Sequence, residues 1–226
     1  DASLSMLEIR EEEKQSEKGM LEAVKRLQAM VKVSNALGSV AKQELILQRI
    51  MESIFDVFPQ ADRAFLMIRD KKTGEMIPAL ARHRQPKPGA TEEFAVSRTI
   101  LRNVVEQKQS VLSSDAQGDQ RFGAQQSILD LSIRSMMCVP LIVQEEILGV
   151  INVDTMSGLR AFTADDLSML TGVAAQAGIA LKNVDLYAAV QAESEKRAHL
   201  SRYMSPDVVQ GVMEGRIPLE LGGKKA

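Results

Sequence analysis

Ser135-Met136-Met137-Cys138-Val139-Pro140-Leu141-Ile142-Val143, then Gln144-Glu145-Glu146, then Ile147-Leu148-Gly149-Val150-Ile151-Asn152-Val153-Asp154-Thr155 reads as two apolar strands joined by a tight acidic turn. Runs this apolar are covered on both faces and belong near the middle of a sheet, paired antiparallel because the turn between them is so short. Cys138 is the chain's one cysteine. In the first run it packs as a small hydrophobe, and no intrachain disulfide is available to it.

Upstream, 64–69 and 76–82 form a hairpin across Lys72-Thr73-Gly74-Glu75. Before it, 44–58 carries Leu45, Ile46, Ile50, Ile54 and Val57 on one helical face and stops ahead of Pro59. After it, 97–106 returns to helical spacing at Ile100, Leu101, Val104 and Val105. A short strand at 110–113 precedes a polar, glycine-bearing loop at 115–126, the kind of segment that covers ligands.

Downstream, Thr163 is an N-cap, and Asp166 three residues on completes a capping-box-like pattern. From there Leu170, Ala174, Ala177, Leu181, Val184 and Ala188 step by four and three, a heptad seam with small residues in its middle. Met20, Val24, Leu27 and Val31 make a shorter seam near the start. Ser205-Pro206 opens a last short helix over 207–213.

The expectation is therefore an α+β fold with a central antiparallel sheet of about five or six strands. The 44–58 and 164–187 helices pack together on one face, and long helices stand at both ends. The predicted core is Phe65, Met67, Ile100, Val139, Leu141, Val150, Ile151 and Leu170. Three regions follow: an N-terminal dimerisation helix at 1–44, a globular domain at 45–187, and a signalling helix and linker at 188–226.

Composition narrows the function. With 28 basic and 30 acidic residues the net charge is -2, so no global field recruits nucleic acid or acidic lipid. No apolar stretch approaches the roughly 20 residues that cross a bilayer, and Asp1-Ala2-Ser3 begins no signal sequence. A cytoplasmic, reducing compartment and a piece of a longer protein are the expectations. Two distant histidines, His83 and His199, and one cysteine assemble no zinc site. No residue stands in a nucleophile motif or phosphate loop. The expectation is no enzyme, no metal and no cofactor.

The element order, with the Val139-Pro140-Leu141 strand, the Gly149-Val150-Ile151-Asn152-Val153 strand and Phe162-Thr163-Ala164-Asp165-Asp166-Leu167 opening the closing helix, resembles a GAF domain over about residues 40–187. A second segment, Arg202-Tyr203-Met204-Ser205-Pro206-Asp207-Val208-Val209 followed by Leu221-Gly222-Gly223-Lys224, resembles the entry to the catalytic domain of bacterial class III nucleotide cyclases. Together they imply a regulatory relay between a missing upstream input domain and a missing downstream adenylate or guanylate cyclase.

Family members that bind cyclic nucleotides carry Asn-Lys, then Phe, then Asp-Glu. Here Thr155-Met156 stands at the first place, Phe162 and Asp166 match, and Leu167 replaces the glutamate. The resemblance puts a pocket under the 115–126 loop, where Asp115, Asp119, Arg121 and Phe122 lie, with Arg134, Ser135, Thr155 and Asp166 as further contacts. The ligand would be a cyclic nucleotide or another metabolite. A plainer reading stands beside it, in which Asp119 and Arg121 pair, Phe122 and Phe162 fill the core, and Asp166 caps a helix.

Assembly follows from the seams. Val24, Leu27, Val31, Leu170, Ala174, Ala177, Leu181 and Val184 are the expected interface of a parallel homodimer, which Leu181→Asp would dissociate. The functional expectation is a sensor or relay controlling a cyclase; the alternative is a ligand-free dimerisation spacer.

Overall fold

A computed structural model describes residues 20, 24, 28, 31, 33–35, 42–85, 97–116, 118–119, 133–156 and 160–217. The elements run α1 (Gln43–Val57), β1 (Arg63–Arg69), β2 (Met76–His83), α2 (Arg98–Gln107), β3 (Val111–Ser113), β4 (Ser135–Val143), β5 (Glu146–Thr155), α3 (Ala164–Ser201) and α4 (Pro206–Met213). The strands form one antiparallel sheet in the order β2-β1-β5-β4-β3. The two apolar runs are neighbours inside it, and β5 is its central strand.

Local chemistry fixes the connections. In the β1–β2 turn the Asp70 carboxylate accepts the Lys72 and Thr73 N–H groups, each at 2.8 Å, and Gly74 takes a φ of +75° that favours glycine. β4 and β5 join through only Gln144 and Glu145, both at positive φ, a two-residue hairpin turn whose twist suits the strands. The turn is one residue shorter than the Gln144-Glu145-Glu146 connection expected from sequence, because Glu146 pairs with Val143. β1 shifts register against β2 where Met67 meets Pro78, a residue with no N–H to give the ladder.

Pairing sorts the side chains onto two faces. Ala64, Leu66, Met137, Val139, Leu141, Ile151 and Val153 alternate onto one face, all apolar and buried. α1 and α3 bury Ile46, Ile50, Met51 and Ile54, and Leu170, Val173, Ala174 and Ala177, respectively. Phe58, just after α1, and Phe162, just before α3, meet edge to face at 6.4 Å. The Phe162 N–H donates to Ser135 Oγ at 3.0 Å, tying the start of α3 to β4.

The opposite face is mixed. α2 closes part of it by packing Ile100 and Val104 with Met136, Cys138 and Val150. The expected core is buried throughout except Met67, which is only partly so, at a position where β1 is bulged against β2.

By compactness the chain divides into Asp1–Lys182 and Asn183–Ala226, the division falling within α3. The second unit has its own small core of Leu200, Val209 and Val212, flanked by Met204 and Met213. Among the described residues no helix is long and apolar enough to cross a membrane.

Candidate functional site

The polar residues of the mixed face concentrate on its central strands. Arg63 is paired in register with Asp154, and Phe65 with Asn152, so these four side chains share one face of β1 and β5. Arg63 Nε donates to Asp154 Oδ1 at 2.7 Å, and Asn152 Nδ2 reaches Asp154 Oδ2 at 3.4 Å. The Arg63 guanidinium also lies 5.5 Å from the centre of the Phe65 ring.

All three polar residues are inside: Arg63 is 3% exposed, Asn152 4% and Asp154 0%. Burial pushes the Asp154 carboxyl up, to about 6, against the opposing pull of the Arg63 guanidinium. Two polar atoms of the cluster are left over. Arg63 Nη2 and Asn152 Oδ1 are buried and make no hydrogen bond. Each such atom costs a fold about 1–3 kcal/mol, so their persistence at the centre of a sheet needs a reason.

The sites expected from sequence lie elsewhere or are already engaged. Asp115 and Asp119 line an open recess of about 320 Å³ with Leu112, Ser113, Ser114 and Gly118, at the β3 edge. Ser113 shares a cross-sheet row with Met136, Asp154 and Arg63, three strand spacings or roughly 14 Å from Arg63. The Asp119 carboxylate accepts Ser113 Oγ at 2.7 Å. Arg121 and Phe122 lie outside the described residues.

The other four expected contacts each make hydrogen bonds within the chain. Ser135 Oγ donates to the Ser113 carbonyl while accepting from Phe162, and Thr155 Oγ1 donates to Asp62 Oδ2 at 2.9 Å. Asp166 accepts both the N–H and the hydroxyl of Thr163 at 2.9 Å, and Thr163 Oγ1 takes the Asp166 N–H in return. That is the capping-box role weighed for it. Arg134 uses its backbone, donating to Thr155 and accepting from Ala116, with its side chain in solvent. Cys138 is fully buried, and burial pushes its thiol up to about 12, far from the range of a reactive thiolate.

The residues expected at a dimer seam differ in exposure. Leu170, Ala174, Ala177, Leu181 and Val184 are buried within the single chain, so their heptad spacing marks intramolecular core. Val24 and Val31 are exposed, and Leu27 lies outside the described residues. Farther along α3, Leu186 is 55% and Val190 64% exposed, four residues apart.

Sequence reasoning passed over Arg63, Asn152 and Asp154. The signal present was a carboxylate and an amide inside an otherwise apolar strand. Among the described residues no cluster of three or more His, Cys, Asp or Glu side chains has the arrangement of a metal site.

The family model of the GAF domain matches residues 43–181. Among solved structures the chain is similar to the GAF domain of a phosphoenolpyruvate-protein phosphotransferase from Coxiella burnetii, at 15% identity and a TM-score of 0.57, over 74% of this chain and 98% of that one. It is similar to residues 122–287 of a methyl-accepting chemotaxis protein, at 20% identity and a TM-score of 0.55, over 69% and 98%. It is also similar to the free methionine-R-sulfoxide reductase of Neisseria meningitidis in complex with its substrate, at 15% identity and a TM-score of 0.58, over 74% and 93%. At these identities the likeness is one of fold. No curated protein matches the chain in sequence.

Proposed function

The chain belongs to the GAF domain family, whose members are generally regulatory or sensory parts of signalling proteins, and from that premise we propose that it binds a small polar molecule and passes its bound state to a downstream effector. The observation that carries this reading is the two-sidedness of the sheet. One face is apolar and tied to the start of α3 at Phe162, while the other buries an ion pair with donor and acceptor capacity unspent. A purely structural sheet gains nothing from that second arrangement.

On the output side, we propose a homodimer and a nucleotide cyclase as effector. Support comes from the Arg202–Val209 segment with its cyclase-like sequence, which begins α4 at Ser205-Pro206 and contributes Val209 to a small apolar core. An oxidoreductase reading, suggested by the reductase neighbour, has little to draw on here, because the single thiol is buried and protonated. The competing reading is a ligand-free dimerisation spacer.

Calorimetry and thermal melts with cyclic AMP and cyclic GMP test the specific form of the sensor reading. Heat of binding with one of them, and a melting temperature that rises with its concentration, is the expected result. Silence from both withdraws cyclic nucleotides as the signal and favours the spacer.

A further inference from the structure

We infer that the tip of the β4–β5 hairpin and the end of α2 form an electrostatic clasp that couples α2, on one face of the sheet, to α3, on the other. The clasp is a property of the chain without ligand or effector, so its failure would leave the sensor reading standing.

Three left-handed residues meet at this point. Among the described residues the non-glycine residues at positive φ are Lys108, Gln144 and Glu145, at 53°, 48° and 69°. Lys108 ends α2 in a conformation where helices commonly place glycine, and Gln144-Glu145 is the hairpin turn, where Asn-Gly is the relaxed choice. The two places are 37 residues apart in sequence and directly joined. Lys108 Nζ donates to the Glu145 carbonyl at 2.6 Å and to the Glu145 carboxylate at 3.0 Å.

The next residue holds the other helix. Glu146 accepts Lys182 Nζ of α3 at 2.6 Å. About one turn earlier in α3, a Cβ on Gly178 would stand 3.0 Å from Val143 Cγ2, so the helix has little slack against the end of β4. Consecutive glutamates therefore hold lysines from helices on opposite faces, and a shift at one is passed to the other through a single peptide unit. Ser110, just after α2, and Thr171 of α3 meet hydroxyl to hydroxyl at 3.1 Å, a second tie between the same parts of the chain.

Stability does not account for the arrangement. The four charged side chains are between a third and nine-tenths exposed, and ion pairs so wet contribute little and weaken with salt. Left-handed backbone at three non-glycine residues opposes folding. A weak tie across a strained turn is suited instead to opening and closing: it holds α2 and the 164–182 part of α3 in one relative placement and lets go when either moves.

The test is amide hydrogen exchange on the wild-type chain, Lys108→Gln, Lys182→Gln and the double variant, at low and at high salt. Both lysines reach solvent, so all four chains should fold. Glu145→Gly is melted beside them. It relaxes the turn while deleting a carboxylate, so its melting temperature should be no lower than that of the wild type.

The expected result is an effect across the sheet. At low salt Lys182→Gln should speed exchange at the end of α2, around 104–107, by about two- to fivefold, the range that an exposed pair commands. Lys108→Gln should do the same to α3 around 178–182. In the double variant the second substitution should add nothing across the sheet, because the clasp is already open, and high salt should shrink every cross effect. Changes confined to the helix that carries the substitution overturn the inference and leave two separate surface ion pairs. Cross effects that simply add in the double variant, or that persist at high salt, overturn it too. A lower melting temperature for Glu145→Gly would show that the turn holds no strain, and the clasp would lose its ground.

Discussion

Asp154 shows how one residue can be legible as a letter and illegible as a role. Its place in an apolar strand is plain, but its partner Arg63 is 91 residues away, and only strand pairing brings the two to 2.7 Å. Burial sets its titration: its folded pKa of about 6 lies above the ordinary 3.8. The folded chain therefore takes up a proton between about pH 6 and pH 4 that the unfolded chain takes up only lower down. This group's contribution to stability is fully present below about pH 4 and is lost as pH rises through about 6. The melting temperature of the wild type minus that of Asp154→Asn should accordingly fall as pH rises from 4 to 7 in thermal melts. A difference that rises over that range would mean that Arg63 holds the carboxylate ionised throughout.

At the scale of elements, β5 leaves no room for a side chain against β1 at Gly149. A Cβ there would collide with the Met67 carbonyl oxygen, a backbone atom of the paired strand that cannot swing away. Gly149→Ala should cost about 2–3 kcal/mol in urea unfolding, with the spectrum of the folded state retained. An unchanged midpoint would show that β1 yields at its bulge. The strands and the first helices were readable because their apolar spacing is dictated by which side meets the core. The seam of α3 has two readings for the same reason. Leu170, Ala174, Ala177 and Leu181 have a spacing that a second helix or the chain's own sheet can satisfy equally, and here they are buried within the chain. Of the polar cluster only Asn152 and Asp154 within an apolar strand were readable; its leftover hydrogen-bonding capacity is a property of packed atoms and not of spacing.

For the whole molecule, assembly is proposed through surface that the single chain leaves open. Leu186 and Val190 lie in the stretch of α3 beyond Lys182 and are more than half exposed. Sedimentation at low micromolar concentration should find a dimer that Val190→Asp converts to monomer without lowering the melting temperature of the folded domain. Leu181→Asp, by contrast, should unfold the domain, since it puts a charge where the side chain is 7% exposed. Dissociation by Leu181→Asp with the domain intact would restore the seam read from sequence. A wild type that is monomeric at every concentration would remove the dimer.

In the proposed relay the signal passes along α3, which runs as one helix from Ala164 to Ser201 and reaches the turn before α4. If output is set by how paired helices pack, rotation about the helix axis matters more than added length. Insertions near Gln191 in the intact protein, read by the activity of the proposed cyclase effector, separate the two. Two added residues turn the following helix by roughly 200°, whereas seven return it to nearly its starting face. The predicted result is a severalfold change in activity for the two-residue insertion and little change for the seven-residue one; equal tolerance of both would make the segment a slack tether and contradict the relay.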